Sequence, residues 1–324
     1  MSSATTKSGV AAAVEQAAAR IERYVRRTPV EASPLLSRDS GGRVLLKLES
    51  LQVSGSFKAR GAFNKLLSLD RDACRAGIVT ASTGNHGLAT AHALAELGVE
   101  GEIFLPASAS PVKIDALRLR GAKLVLVDMD PGAVETVARE HAMKTGRTYI
   151  SPYNDPEVIA GQGTIGRELL EAVDDLATVY VPVGGGGLIA GIAAYLKFHR
   201  PGIRVIGVQP EASAVMTHSV AAGRLLQLDS DESISDATVG LVEEGSITFP
   251  ICRSCVDDWV LVTESEIKGA LRSLVGEHSI LAEGAGALTV AAYRRRAPDR
   301  RDGTTVLLVS GAHVALDVLS AAVA

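Results

Sequence analysis

Short continuous apolar runs alternate with longer stretches of helical period through most of the chain. RVLLKLE (43–49), AGIVTAS (76–82), GEIFLP (101–106), AKLVLVD (122–128), ATVYVPV (177–183), RVIGVQP (204–210), WVLVT (259–263) and TTVLLVS (304–310) read as strands. Between them, residues 86–97, 111–120, 133–145, 188–199, 264–275 and 283–296 carry apolar positions at helical spacing. The opening stretch predicts an amphipathic helix that ends before Pro29, since a proline disfavours helical backbone in the residue ahead of it. Strands that are apolar throughout, separated by helices, belong in a parallel sheet covered on both faces. No repeat, low-complexity linker or acidic tail interrupts the pattern. It predicts an α/β body with room for a division into two lobes.

Composition narrows the function classes. The 324 residues are 47% hydrophobic and 22% charged, which describes a soluble globular chain with ample core. A net charge of -4 and a pI near 6.0 argue against a nucleic-acid or anionic-membrane surface. The cluster Arg294, Arg295, Arg296, Arg300 and Arg301 is interrupted by Asp299 and Asp302, so it reads as a solvated helix end and loop. Glu15 and Arg20 break the first apolar run, which lacks a signal-peptide core, and no run is long enough to span a bilayer. The expected location is the cytoplasm.

Three cysteines make no disulfide framework. Cys252 and Cys255 form a C-x-x-C, but no second pair completes a zinc site and no helix follows directly to activate a thiolate. They read as two reduced thiols near a strand start.

In parallel α/β sheets, ligands bind beyond the carboxyl ends of the strands. Strand 177–183 is followed by four glycines, Gly184, Gly185, Gly186 and Gly187, and then a helix. A tight turn needs one or two glycines; four allow close backbone approach to an anion at a helix start. Gly185, Gly187 and Ala190 satisfy a loose dinucleotide pattern, but Gln209 ends the next strand where an acidic ribose partner belongs, and no Walker lysine follows. A small phosphorylated cofactor fits better than NAD or ATP.

Strand 76–82 runs into STGNHG (82–87), which sets hydroxyl and amide groups beside helix-start N–H groups, an arrangement suited to a carboxylate. Strand 304–310 delivers Ser310, a neutral hydroxyl able to meet a heterocycle nitrogen. Finally, LQVSGSFKAR (51–60) presents Lys58 after a Ser-Gly-Ser turn, in the kind of setting that a lysine needs only if it must react as an amine. A lysine, a phosphate cradle, a carboxylate cradle and a neutral hydroxyl together specify pyridoxal phosphate chemistry on an amino acid.

Five motifs in order, SGSFKARGA, STGNHG, VGGGGLIAG, EGAGA (283–287) and SGAH, resemble the threonine/serine dehydratase branch of the fold type II, tryptophan synthase β-like, pyridoxal-phosphate enzymes. The resemblance covers nearly the whole chain. It implies an α/β fold of two lobes, each with a mainly parallel sheet flanked by helices: residues 1–75 with 150–324 as the large cofactor-binding domain, and 76–149 as a small mobile domain. It also implies that Lys58 bonds the cofactor and serves as general base, with Phe57 packed beside the ring and Asn85 on the ring's 3′-oxygen. Gly184, Gly185, Gly186, Gly187 and Leu188 would hold the phosphate, Ser310 would face the pyridine nitrogen, and Glu283 would lie near the pocket. Ser82, Thr83, Gly84, Asn85 and His86 would receive the substrate. A homodimer without nucleic-acid or membrane partners is expected.

The chain departs from that pattern in three places. Related serine racemases carry a second serine where this chain has Thr83, which favours elimination over racemisation. Many relatives hold a divalent cation at a stretch that here reads QPEASAV, with Gln209 and Val215 in place of acids, so no metal is expected. Ala237 stands where relatives usually have glycine beside the cofactor. The chain ends shortly after Ser310, and a C-terminal regulatory domain like that of feedback-controlled threonine dehydratases is expected to be absent. The leading reading is a lyase that turns a β-hydroxy amino acid, threonine or serine by default, into a 2-keto acid and ammonia in amino-acid catabolism. Hydroxyaspartate, phenylserine or hydroxyectoine-derived substrates, a β-replacement or racemase activity, and a non-catalytic small-ligand binder stay open.

Overall fold

A computed structural model describes residues 5–129, 131–296 and 303–323. Among these residues, ten strands form two sheets: β1 (Val30–Ala32), β2 (Arg43–Leu48), β3 (Ile78–Ala81), β4 (Gly101–Pro106), β5 (Lys123–Val127), β6 (Thr148–Tyr149), β7 (Leu176–Pro182), β8 (Arg204–Pro210), β9 (Asp258–Val262) and β10 (Thr304–Val309). The larger sheet has the order β1-β2-β10-β7-β8-β9, and the smaller β5-β4-β3-β6. Every pairing is parallel except β1 against β2.

The apolar strands are covered on both sides, as their composition requires. On one face of the larger sheet, Val179, Val181, Val205, Val306 and Leu308 meet helices Lys7–Ile21, Pro156–Ala172 and Gly187–His199. On the other, Tyr180, Ile206, Val208, Leu307 and Val309 meet helices Glu264–Gly276 and Gly284–Arg295. The alternation between faces follows the two-residue period of a strand. The smaller sheet buries Ile103 and Leu105 on one side and Val79 and Phe104 on the other.

All eight expected strands are present, and each expected helix is present with ends shifted by at most a few residues. Among the described residues, five shorter helices and the strands β1 and β6 went unread, and helices Lys58–Ser68 and Pro156–Ala172 are the longest of those not legible. The first buries Arg60 and Asn64 alongside Phe63, which blurs its period. The second contains Gly161, Gly163 and Gly166, poor helix formers by propensity. Packing overrides that cost: a Cβ on Gly161 would come within 2.6 Å of the Arg60 carbonyl oxygen, and one on Gly191 within 2.3 Å of that of Ile159. The glycines let three helices cross at backbone contact behind the site.

Cys252 and Cys255 end the helix Thr248–Cys255 ahead of β9, both buried, and burial pushes the Cys252 thiol well above its usual range. Arg294 and Arg295 close a helix and pair with Glu277, Glu211 and Glu266; Arg300 and Arg301, with Asp299 and Asp302, lie outside the described residues. Gln209 is engaged by Thr217, whose backbone N–H and Oγ1 both donate to its Oε1 at 2.8 Å, and Val215 is buried in the core.

Candidate active site

A cavity of about 790 Å³ opens between the two sheets, beyond the carboxyl ends of β7 and β10. Its wall includes Phe57, Lys58, Asn85, the run Gly184–Leu188, Glu283 and Ser310. These come from five separate stretches of sequence, and only the strand order brings them together.

The glycine run turns from β7 into the helix Gly187–His199, with Gly186 at φ 88°, a backbone conformation that side chains rarely adopt. Among the described residues, no acceptor takes the backbone N–H groups of Gly185, Gly186, Gly187 or Leu188. Orphan donors at a helix start make an anion cradle. The loop is braced from behind: Thr248 Oγ1 donates to the Gly185 carbonyl at 2.7 Å, and a Cβ on Gly185 would lie 2.5 Å from the Tyr153 ring.

Lys58 begins its helix facing the cavity. Its Nζ donates to the Pro152 carbonyl at 2.8 Å and stands 5.2 Å from the Phe57 ring centroid. Among the described residues it makes no ion pair. Burial lowers its pKa to about 8, with the Glu283 charge opposing. Antiparallel contact between Ser56 and Gly311, with Phe57 N–H donating to the Ser310 carbonyl at 3.0 Å, ties the lysine loop to the end of β10.

Asn85, at the start of the helix Asn85–Leu97, donates through Nδ2 to both oxygens of Glu283, at 2.7 and 2.9 Å. Burial raises the Glu283 carboxyl to about 7, partly offset by the Asn85 hydrogen bonds. Ser82, Thr83 and Gly84 are half-buried in the turn after β3 and are not on the cavity wall. His86 is buried with its ring turned away: Nε2 donates to Thr80 Oγ1 at 2.9 Å, because that hydroxyl gives its own proton to the Ile150 carbonyl. Burial and the Lys58 charge hold His86 near pKa 3, neutral, so only its backbone N–H is available to a carboxylate.

Tyr153, Pro152 and Thr248 were missed in the sequence, and His313 was read there only as the end of the SGAH motif, with no role. Nothing local marks them, since their roles arise from contacts with residues far along the chain. Ala237, read from the sequence as a departure, does line the cavity.

Pyridoxal phosphate fits this donor set: unpaired N–H groups for its phosphate, an amine without a counter-ion, and Ser310 with 1% exposure across the cavity. The chain is 37% identical over 310 residues to an L-threonine ammonia-lyase of Geobacter sulfurreducens, covering 96% of this chain and 77% of that one. It is 40% identical to a catabolic L-threonine dehydratase of Staphylococcus aureus, covering 95% and 90%. The structure of threonine deaminase isoform 2 from Solanum lycopersicum superposes with a TM-score of 0.91 at 33% identity, covering 98% and 87%. Residues 21–311 match the family described as pyridoxal-phosphate dependent enzyme, and with the cradle, the amine and these relatives the chain belongs to that family.

Proposed function

We propose that this chain is an ammonia-lyase that converts a β-hydroxy amino acid, threonine or serine, to a 2-keto acid and ammonia. The observation that carries this reading is the Lys58 amine, enclosed and without a counter-ion, facing the unpaired donors of the glycine loop across one cavity. Bound pyridoxal phosphate supplies an electron sink for the carbon that loses its proton.

The protein's part follows from its own groups. Gly185, Gly186, Gly187 and Leu188 bind the phosphate through N–H groups that need no reorganisation. Lys58 would hold the cofactor, and its amine would remove the Cα proton; a pKa of about 8 lets it take and return protons near neutrality. Asn85 would meet the ring's 3′-oxygen, and Phe57, on the same cavity wall, would pack beside the ring. Ser310 offers a neutral hydroxyl rather than a carboxylate to the ring nitrogen, which favours prompt loss of the β-hydroxyl. The turn Ser82–His86, which reaches the cavity wall at Asn85, would take the substrate carboxylate at the start of its helix, and Thr83 in place of a serine favours elimination.

We further infer that residues 76–149 move as a small lobe against 1–75 with 150–324, and that the protein is a cytoplasmic homodimer of amino-acid catabolism. The four-stranded sheet is drawn wholly from 78–149, which supports the division. No helix among the described residues is long and apolar enough to cross a membrane.

The test is a panel of β-hydroxy amino acids with the cofactor-saturated protein, measuring 2-keto acid and ammonia together. Equimolar products from threonine or serine are expected. Absence of keto acid from every member would overturn the reading.

A further inference from the structure

His313 stands just beyond Ser310 and has no part in the reaction described above. Its Nδ1 lies 2.5 Å from Asn85 Oδ1, and its backbone N–H donates to Glu283 Oε2 at 3.1 Å. One residue therefore touches both members of the Asn85–Glu283 pair. Resting on the reading of Asn85 as the group that faces the cofactor ring, we propose that His313 is a positioning residue, which holds the Asn85 amide with its NH2 end toward Glu283 and the cavity.

The two ends of an asparagine amide are nearly the same size, so sterics alone do not choose between its two orientations. Partners choose. Ionised Glu283 accepts only, and so requires the NH2 end. Once protonated, Glu283 can instead donate to Oδ1, and its preference for one orientation weakens. Its pKa of about 7 puts that change inside the working range.

His313 does not change in this way. Burial, then the charge of Arg120, lowers its pKa, so the ring is neutral near pH 7. Both charge states of the ring can keep a proton on the nitrogen facing Oδ1: the neutral ring as its Nδ1–H tautomer, which the acceptor Oδ1 selects, and the cation with a proton on both nitrogens. The charged and titratable groups acting on this cluster are Arg120 at His313, and Lys58 and Asp236 at Glu283.

The loop ahead of Lys58 is shaped around the same ring. Gly55 has φ 76°, and a Cβ there would come within 2.7 Å of His313 Cε1. Ala312 N–H donates to the Gly55 carbonyl at 3.0 Å. The glycine of the Ser-Gly-Ser turn thus makes room for the imidazole that orients Asn85.

The experiment has two parts. First, NMR of cofactor-free protein labelled with ¹⁵N-histidine, with His313 assigned by its loss in His313→Asn, should show the proton on Nδ1. A proton on Nε2 alone would overturn the inference without reference to activity. Second, the visible absorption of the bound cofactor and kcat/KM are followed against pH in His313→Leu and His313→Asn. His313→Leu should lose activity as pH falls through about 7, with kcat reduced about tenfold, the worth of one hydrogen bond, and KM less affected. His313→Asn keeps a donor and should restore the profile. A wild-type pH profile in His313→Leu beside an impaired Asn85→Ala would overturn the inference alone. An unimpaired Asn85→Ala would overturn the reading of Asn85 and the inference with it.

Discussion

Lys47 is fully buried and Lys58 partly exposed at a cavity wall, and burial lowers the pKa of both. Their partners differ as well. Lys47, with 0% exposure, donates to Glu168 Oε2 at 2.5 Å and to the Thr28 carbonyl at 2.9 Å. Arg60, from the first turn of the Lys58 helix, joins it and binds Glu49 and Glu168 through two nitrogens each. Two cations face two carboxylates, and each charge is met. Lys58 faces a carbonyl oxygen, with Glu283 acting on it only through its charge. A compensated buried lysine holds structure; one left without an ion-pair partner is cheap to deprotonate and able to react.

The sharpest way to break this contrast is to remove each amine. Lys58→Ala should leave the fold intact and lower turnover by about 10³-fold, within the span of a lost general base. Retention of substantial deaminase activity would end the assignment of Lys58. On the other side, Glu49→Ala strands Arg60 and Lys47 with one carboxylate between them, and should cost about 3–5 kcal/mol in denaturant unfolding of the cofactor-free protein. A loss below about 1 kcal/mol, the size of an exposed pair, would show the cluster to be solvated.

The pH dependence sharpens the same comparison. Covalent capture of pyridoxal phosphate by the cofactor-free protein needs the neutral amine, so its rate should rise to a midpoint near pH 8 rather than 10.5. The Glu283 charge raises Lys58, so Glu283→Gln should move that midpoint to lower pH. Between pH 8 and 10.5 the folded chain binds fewer protons at Lys58 than the unfolded chain. Stability from this group therefore climbs as pH rises across the window and is lost as pH falls through 8. A midpoint that did not move in Glu283→Gln would remove Glu283 from the account of Lys58.

Smaller effects are expected where neutral groups act. Ser310→Ala removes one hydrogen bond and should weaken cofactor binding by about 1 kcal/mol, roughly fivefold by equilibrium titration. The smallest effect belongs to metal removal: with Gln209 and Val215 at the positions in question, dialysis against a chelator should leave activity nearly unchanged. A large loss restored by magnesium or calcium would place a cation site elsewhere in the chain.

Eight of the ten strands, half of the fourteen helices among the described residues and the glycine loop were legible in the sequence because each depends on local pattern. Apolar runs need burial on both faces, and Gly184–Gly187 before a helix needs no distant residue to be an anion cradle. Lys58 was legible for a related reason, as an amine set between Phe57 and a tight turn. Other features depend on which strands neighbour each other. The helix Pro156–Ala172 contradicts its own glycine content, and only close packing against Arg60 and Gly191 makes those glycines an advantage. The ring of His86, a residue read as a ligand for a carboxylate, turns to Thr80 and Ile150 because the buried polar groups there require a donor, which leaves its backbone N–H for that role. Local sequence determined what each strand end could offer. The order β2-β10-β7 and the crossing of the helices behind it decided that Lys47 is neutralised, that Lys58 is not, and that Asn85, Glu283 and His313 meet. The physical reason is that burial and charge pairing are properties of three-dimensional neighbours, and those are set only when the chain packs.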